Sequence, residues 1–234
     1  MLVAEDLTKK YGSHLALDSL NLHVPAGEIF CLLGANGAGK STTVNLFMGF
    51  IKPDSGKALV AGFKPGDKMD AIAYIPENVM LYPGLSGIEN LKYLSRLSGK
   101  KYSKAELVSF LIHSGLPESA IHKKVKEYSK GMRQKVGIAL TVARQARVLF
   151  LDEPTSGLDP HASNEFSELL KKLKQNGVTV LMVTHDLFRA KEVADTIGIM
   201  NEGKLMKLLE ANKVSHIDLE RIYLQSVSVG EEVL

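Results

Sequence analysis

A glycine-rich segment of the sequence has the composition and spacing of a phosphate-binding loop. It matches the pattern G-x-x-x-x-G-K-[ST], and its residues are Gly34, Ala35, Asn36, Gly37, Ala38, Gly39, Lys40 and Ser41. Glycines let such a loop curl until its backbone N–H groups point at phosphate oxygens. A helix that follows adds the positive end of its dipole. We therefore predict that Lys40 reaches the β- and γ-phosphates of a nucleotide and that Ser41 offers its hydroxyl to Mg²⁺.

Two adjacent carboxylates could complete the chemistry of nucleotide hydrolysis. Asp152 and Glu153 directly follow the apolar run Val148–Leu151. At the end of a buried strand, Asp152 would hold Mg²⁺ through water, and Glu153 would act as the general base that polarises the attacking water. Taken alone, the pair is better explained as a solvated acidic strand end. The phosphate-binding pattern elsewhere in the chain favours the catalytic interpretation.

The elements around these residues have the pattern of an α/β fold. Three continuous apolar runs, Ile29–Leu33, Val148–Leu151 and Val178–Val183, are typical of strands covered on both faces. Helical patterns follow the first run at Ser41–Phe50 and precede the third at Asn164–Gln175. Strands that alternate with helices predict a mainly parallel sheet. The segments 2–22 and 57–61 are interpreted as further strands, forming a small antiparallel sheet.

The segment from 78 to 146 has a different character and contains no convincing strand. Ile88, Leu91, Leu94 and Leu97 recur every three residues, which indicates one face of a helix. The run from Ser103 to Glu106 is a capping box that opens a helix over Ala105–His113, and Arg133–Gln145 is interpreted as a third helix. We therefore predict an all-helical lobe inserted into the α/β core.

Composition limits the class of protein. The chain has 234 residues, of which 45% are hydrophobic and 24% charged, so it can form a globular core. The formal net charge of +3 is too small to indicate a nucleic-acid-binding protein by itself. The single cysteine, Cys31, cannot form an intramolecular disulfide and is expected in the core. We expect neither a secretory signal nor a membrane-spanning segment, because the start is acidic and the apolar runs are short.

The segment Tyr128–Met132 makes the pattern more specific. It resembles the signature motif, usually written LSGGQ, of ATP-binding-cassette (ABC) ATPases, and the other motifs of that family occur in the family's order. By this resemblance, residues 34–41 form the Walker A loop, with Thr42 also at the nucleotide, and Leu149–Glu153 form the Walker B strand. The remaining motifs are the adenine-stacking Tyr11, the D-loop Ser156–Asp159 and the switch histidine His185.

The resemblance implies a fold, a cofactor and a site. The fold would be a P-loop NTPase core with a mainly parallel sheet, a small antiparallel sub-domain and an inserted helical sub-domain. A single ABC domain would cover 1–234, with a core lobe at 1–77 and 147–234 and a helical lobe at 78–146. The expected activity is Mg²⁺-dependent ATP hydrolysis, which powers transport through a separate permease.

Two cassettes of the family pair head to tail, so that each ATP lies between the Walker A loop of one and the signature of the other. Ser129, the Gly131 backbone and a helix beginning near Met132 would then contact the γ-phosphate of the partner's ATP. Asp159 would act across the interface. His185 would contact the γ-phosphate as a third catalytic residue beside Lys40 and Glu153.

Three positions depart from the usual family pattern. Glu77 occupies the Q-loop position of a glutamine, where it keeps an oxygen for the metal, and Lys130 and Met132 replace a glycine and a glutamine of the signature. Lys130 could add positive charge near the γ-phosphate. These variants resemble ATPases of ABC-2-type exporters. A weaker similarity, carried by the segments 78–87 and 128–134, is to the copper-processing ATPase subunit of nitrous-oxide reductase maturation systems.

The expected partners follow from the resemblance. They are a second cassette, most simply a second copy of the chain, and a permease that contacts the region of Met80, Leu81, Tyr82 and Leu85. Nucleic acid and direct contact with the cargo are not expected, and the expected location is the cytoplasmic face of the cell membrane. One alternative is a soluble ABC ATPase that acts on nucleic acid or ribosomes. Another is a catalytically idle regulatory cassette, which the presence of Glu153 and His185 disfavours.

Overall fold

The computed structural model describes residues 1–228, so the end of the predicted domain, at 229–234, lies outside the described residues. The strands are β1 (Leu2–Tyr11), β2 (His14–Val24), β3 (Ile29–Leu33), β4 (Ser55–Val60), β5 (Ile72–Ile75), β6 (Val148–Asp152), β7 (Thr179–Thr184), β8 (Thr196–Asn201) and β9 (Lys204–Glu210). The helices are α1 (Lys40–Met48), α2 (Gly87–Leu97), α3 (Lys104–His113), α4 (Lys130–Arg144), α5 (Pro160–Gln175), α6 (Leu187–Val193) and α7 (His216–Ser228).

The larger sheet confirms the predicted α/β fold. Its strand order is β5-β6-β7-β3-β8-β9, and each neighbouring pair is parallel except β8 with β9. The three strands predicted from continuous apolar runs are adjacent, and every residue of β3 and β7 is buried. Because carboxyl ends of parallel strands meet at one edge of a sheet, the segments after β3, β6 and β7 lie together.

A second sheet confirms the predicted antiparallel unit. It has the strand order β2-β1-β4, and both of its pairs are antiparallel. Leu2 and Leu17 from this sheet share one hydrophobic cluster with Phe30 and Phe150 from the larger sheet. The ring of Phe47, from α1, stacks on the ring of Phe150 with the centroids 6.2 Å apart. The two sheets and α1 therefore share one continuous core.

The helices α2, α3 and α4 enclose a hydrophobic cluster of their own, which includes Leu91, Leu107, Leu111 and Val136. Capping boxes begin α2 at Ser86 and α3 at Ser103, the second as predicted. The predicted face of α2 is wrong at its end, because Leu97 is 67% exposed. At about 100° per residue, the nine steps from Ile88 to Leu97 turn the helix by about two and a half turns and place Leu97 on the opposite side.

Five elements were not predicted from the sequence: β5, β8, β9, α6 and α7. Strand β5 has only four residues, and β9 is largely exposed with lysines along it. Strand β8 contains Gly198, where an added Cβ would lie 2.8 Å from Cζ of Phe30. The ring of Phe30 occupies the space that a β-branched residue would fill in an ordinary buried strand.

Cys31 lies in β3 and is completely buried, as predicted. Burial raises the pKa of its thiol well above the ordinary value, and the nearby Asp195 adds to the effect. The thiol is therefore a neutral core group.

Candidate nucleotide-binding site

The glycine-rich loop connects β3 to α1, as its motif requires. Gly37 and Gly39 have φ angles of 85° and 101°, which only glycine adopts readily. The loop borders a cavity of about 240 Å³. The residues that line this cavity are Tyr11, His14, Ala16, Asn36, Gly37, Gly39, Lys40, Ser41 and Thr42. The structure thus brings Tyr11, from the end of β1, to the same cavity as the loop and the start of α1.

The ammonium group of Lys40 is held inside the loop. Its Nζ donates hydrogen bonds to the carbonyl oxygens of Gly34 at 2.7 Å and Ala35 at 3.0 Å. Burial lowers the pKa of Lys40, whereas the carboxylates of Glu153 and Asp152 raise it. The loop therefore positions one buried cation beside the acidic end of β6. Ala38, also predicted at the nucleotide, is buried and does not line the cavity.

Gly39 and Gly37 provide a matched test of the loop. A Cβ at Gly39 would lie 2.6 Å from the carbonyl oxygen of Ala16, whereas one at Gly37 would meet nothing within 4 Å. We expect Gly39→Ala to lower the free energy of unfolding by about 3 kcal/mol, from strain and overlap together. Gly37→Ala should cost about 1 kcal/mol, from strain alone. Urea unfolding of both variants checks this, and equal losses would contradict the close approach at Gly39.

The carboxylate of Glu153 is fixed by two residues from the end of β7. Glu153 follows β6 with a φ angle of 43°, and its backbone N–H donates to the carbonyl oxygen of Val183 at 2.9 Å. Its Oε1 lies 2.8 Å from Nδ1 of His185, and its Oε2 accepts a hydrogen bond from the hydroxyl of Thr184 at 2.9 Å. Three neighbouring strand ends therefore place a phosphate-binding loop, a carboxylate and an imidazole at one edge of the sheet.

Asp152 has the environment of a cation ligand. Burial raises the pKa of its carboxyl group, and the adjacent Glu153 raises it further, whereas Lys40 and the Tyr74 hydroxyl oppose the shift. A cation beside Asp152 would relieve this repulsion. Within residues 1–228 no group of three or more His, Cys, Asp or Glu could hold a metal. Mg²⁺ commonly uses one or two carboxylates with substrate phosphates, so Asp152 and the hydroxyl of Ser41 fit it.

The signature residues lie at the start of α4. Ser129 is its N-cap and accepts a hydrogen bond from the backbone N–H of Met132 at 3.2 Å. The helix thus begins at Lys130, two residues before the predicted start near Met132. At Gly131 an added Cβ would lie 3.5 Å from Cβ of Ala162, and Asp159 caps that neighbouring helix. None of these residues lines the cavity at Lys40.

Two of the departures from the usual family pattern contact each other. Oε1 of Glu77 lies 3.3 Å from Nζ of Lys130 and accepts a hydrogen bond from the hydroxyl of Ser156 at 3.1 Å. The amide of Gln134 donates to the backbone carbonyl of Glu77 at 3.2 Å. The bond to Lys130 lowers the pKa of Glu77 most, and Ser156 adds to it. Glu77 therefore joins the signature helix to the segment after Glu153.

This contact predicts non-additive effects in a double variant. We expect Glu77→Gln and Lys130→Met each to change the KM or kcat of ATP hydrolysis by about twofold to fivefold, the scale of an exposed ion pair. The double variant should resemble the more affected single variant, because both substitutions remove the same contact. Steady-state kinetics of the four proteins measures the coupling. Strictly additive effects would mean that the ion pair does not influence hydrolysis.

Two residues near the site were not predicted from the sequence. The hydroxyl of Thr184 donates to Glu153, and the hydroxyl of Tyr74 lies 3.5 Å from Oδ2 of Asp152. Ser156 was predicted only as part of the D-loop, and its hydrogen bond to Glu77 was not. Thr184 could have been found, because it directly precedes His185 at a strand end. Tyr74 lies on the unpredicted strand β5, so no sequence signal connected it with Asp152.

Comparison with known proteins gives the family. The family described as "ABC transporter" matches residues 17–156. The lantibiotic transport ATP-binding protein SrtF of Streptococcus pyogenes is 34% identical over 95% of the chain and 96% of its own length. The bacitracin transport ATP-binding protein BcrA of Enterococcus faecalis is 36% identical over 88% of the chain and 68% of its own.

Solved structures agree with the sequence comparisons. A dimeric post-hydrolysis structure of the ATP-binding cassette MJ0796, bound to ADP and phosphate, has a TM-score of 0.80 and 26% identity. The match spans 90% of this chain and 99% of the MJ0796 chain. The phosphate loop, the strand-end carboxylates and the signature helix fit these matches. The chain therefore belongs to the ABC transporter family, as an ATP-binding subunit that hydrolyses ATP.

Proposed function

We propose that this chain is the ATPase subunit of an exporter and drives a separate permease through ATP-dependent pairing of two cassettes. One observation carries the proposal: the contact of Glu153 with His185 and Thr184 at the sheet edge that also bears Lys40. The names of SrtF and BcrA, a lantibiotic transport and a bacitracin transport ATP-binding protein, support a role in transport. The export direction is proposed from the resemblance of Glu77, Lys130 and Met132 to the variants of ABC-2-type exporters. The weaker similarity to the nitrous-oxide reductase maturation subunit stays a prediction.

The proposed roles follow the positions of the side chains. Lys40 exchanges its two carbonyl partners for oxygens of the β- and γ-phosphates, and loop N–H groups complete the phosphate contacts. Tyr11 is 47% exposed at the cavity and stacks on adenine. Glu153 accepts a proton from the attacking water, and its contacts with His185 and Thr184 keep the carboxylate oriented.

Asp152 and Ser41 are the proposed Mg²⁺ ligands. Bound Mg²⁺ would neutralise charge on the phosphate oxygens. Glu77 is the third proposed ligand, and its Oε2 would be the ligand atom because its Oε1 contacts Lys130 and Ser156.

The signature completes the site of a second copy. Ser129, Gly131 and the N-terminus of α4 meet the γ-phosphate bound by the partner's loop, together with Lys130 and Met132. Asp159 lies in the same interface. ATP closes this dimer because its terminal phosphate contacts both copies, and hydrolysis removes that link. The dimeric MJ0796 cassette supports this arrangement.

We propose that the permease docks beside α2. Met80 is 86% exposed and Tyr82 is 48% exposed, and Tyr82 packs edge-on against Tyr93 with ring centroids 5.0 Å apart. Exposed aromatic and methionine side chains of this kind are enriched in protein interfaces. Among residues 1–228 no helix is long and apolar enough to traverse a bilayer. Docking on a permease would place the chain peripherally, and the proposed location is the cytoplasmic face of the membrane.

Recovery of the permease tests the proposal. Membranes containing the tagged chain are solubilised gently, the chain is isolated, and its partners are identified by mass spectrometry. A co-purifying integral membrane protein, reduced by the paired changes Met80→Asp and Tyr82→Asp, is the expected result. Sedimentation with ribosomes in place of membranes would contradict the proposal and favour the soluble alternative.

A further inference from the structure

Positive charge is concentrated in the helical lobe. Residues 78–146 contain 12 Lys and Arg and 4 Glu, whereas the remaining residues contain 17 basic and 22 acidic side chains. The formal net charges are therefore +8 for the helical lobe and −5 for the rest of the chain. A separation of this size creates a field that attracts anionic partners to one side of the molecule.

Part of this charge converges on one concave surface. Lys92 and Arg96 of α2, Lys104 of α3 and His122 line a cavity of about 420 Å³. Its one carboxylate, Glu89, is engaged in the cap of α2, where its Oε2 accepts from the backbone N–H and the hydroxyl of Ser86, each at 2.8 Å. The surface defined by Lys92, Arg96 and Lys104 is called the basic surface below.

The basic surface carries cations without carboxylate partners. None of the ion pairs found within residues 1–228 involves Lys92, Arg96 or Lys104. By contrast, Lys135, which is also in the helical lobe, pairs with Glu165 at 2.9 Å. The three cations are therefore available to an external anion.

Exposed apolar side chains run beside the basic surface. Lys92 and Arg96 are four residues apart on α2, and so are Tyr93 and Leu97, which are 43% and 67% exposed. The spacing of an α-helix places the Lys92–Arg96 pair and the Tyr93–Leu97 pair in two neighbouring stripes, about 100° apart around the helix axis. A basic stripe next to a stripe containing tyrosine and leucine is the pattern of a helix at a membrane interface. Nucleic acid would not account for the exposed Leu97.

We propose that the basic surface binds the anionic phospholipid headgroups of the membrane, with Tyr93 and Leu97 at the headgroup boundary. The inference goes beyond the proposed function, because the contact requires neither ATP nor a permease. It would orient α2 toward the bilayer. Each Lys or Arg near an anionic surface strengthens binding by a factor of about five, so three together contribute a factor of about 100.

Vesicle co-sedimentation of the purified chain tests this proposal without a permease. We expect binding to vesicles that contain phosphatidylglycerol, no binding to pure phosphatidylcholine, and weakening as salt is raised. The triple variant Lys92→Gln, Arg96→Gln, Lys104→Gln should lose about 100-fold in vesicle affinity. Its ATPase activity in solution should stay within about twofold of the parent's, because none of the three residues lies at the nucleotide site.

A matched control variant distinguishes binding by the basic surface from an effect of the total charge of the chain. Lys52, Lys64 and Lys207 are exposed lysines of the core lobe, and their joint change to Gln removes the same charge. This control should lose less than about threefold in vesicle affinity. Equal losses in the two triple variants, no binding to phosphatidylglycerol vesicles, or binding to RNA in place of vesicles would each overturn the proposal. If the unaltered chain did not hydrolyse ATP, that result would overturn the proposed function instead.

Discussion

Replacement of Glu153 by Gln lowers the rate of ATP hydrolysis by at least about 100-fold while ATP still binds. This is the expected result because a positioned general base contributes at least that factor. Gln keeps the shape of the side chain and can still contact Thr184 and His185, whereas its amide cannot accept the proton of the attacking water. With the terminal phosphate retained, the cassette dimer should accumulate.

The measurement combines phosphate release with light scattering in the presence of ATP. Glu168→Gln makes the same chemical change on the exposed side of α5, where Glu168 contacts Lys171 at 2.8 Å. This control should hydrolyse ATP at the parent rate. Full turnover by the Glu153 variant would exclude the assigned base, and a monomer under saturating ATP with hydrolysis blocked would exclude the proposed pairing.

Lys40→Ala should weaken ATP binding by about 100-fold. The substitution removes a buried cation from the phosphate loop, and charge-assisted hydrogen bonds of this kind contribute about 3 kcal/mol. It also deprives the carbonyl oxygens of Gly34 and Ala35 of their donor. Titration with a fluorescent ATP analogue measures the affinity, and thermal unfolding verifies that the variant is folded. Lys52→Ala, at an exposed position of the same lobe, is the control, and unchanged affinity at Lys40 would refute the loop assignment.

The sequence predicted the buried part of the fold well, because burial on both faces imposes continuous apolar runs. Strand β3 has the predicted bounds, β6 ends one residue later than predicted, and β7 begins and ends one residue later than predicted. Edge strands carry no such constraint. The exposed lysines of the edge strand β9 resemble loop composition, so only the tertiary structure shows that these residues pair. In the interior strand β8, Gly198 interrupts the apolar run.

Helix starts were predicted late for a physical reason. Helices α4 and α5 begin at Lys130 and Pro160, three and four residues before the predicted starts at Arg133 and Asn164. Neither start was predicted from a capping residue. Ser129 and Asp159 cap the polar first turns, so the caps were the better signal.

The site was predictable where its residues are close in sequence. The spacing of the loop predicted Lys40 and Ser41, whereas Tyr11, which lines the same cavity, was predicted only from the family resemblance. The link between Glu77 and Lys130 was not predictable, because these residues are 53 positions apart and meet only after the helical lobe has packed on the core.

The burial of Cys31 determines how the thiol of this protein reacts with oxidants and thiol reagents. The only sulfhydryl group in the sequence is sealed inside the central sheet, so peroxide or maleimide reaches no sulfhydryl while the fold is intact. Maleimide should therefore leave the rate of ATP hydrolysis unaltered. A cysteine introduced on the surface would then be the single labelling position, from which spectroscopic distances between two copies could be measured.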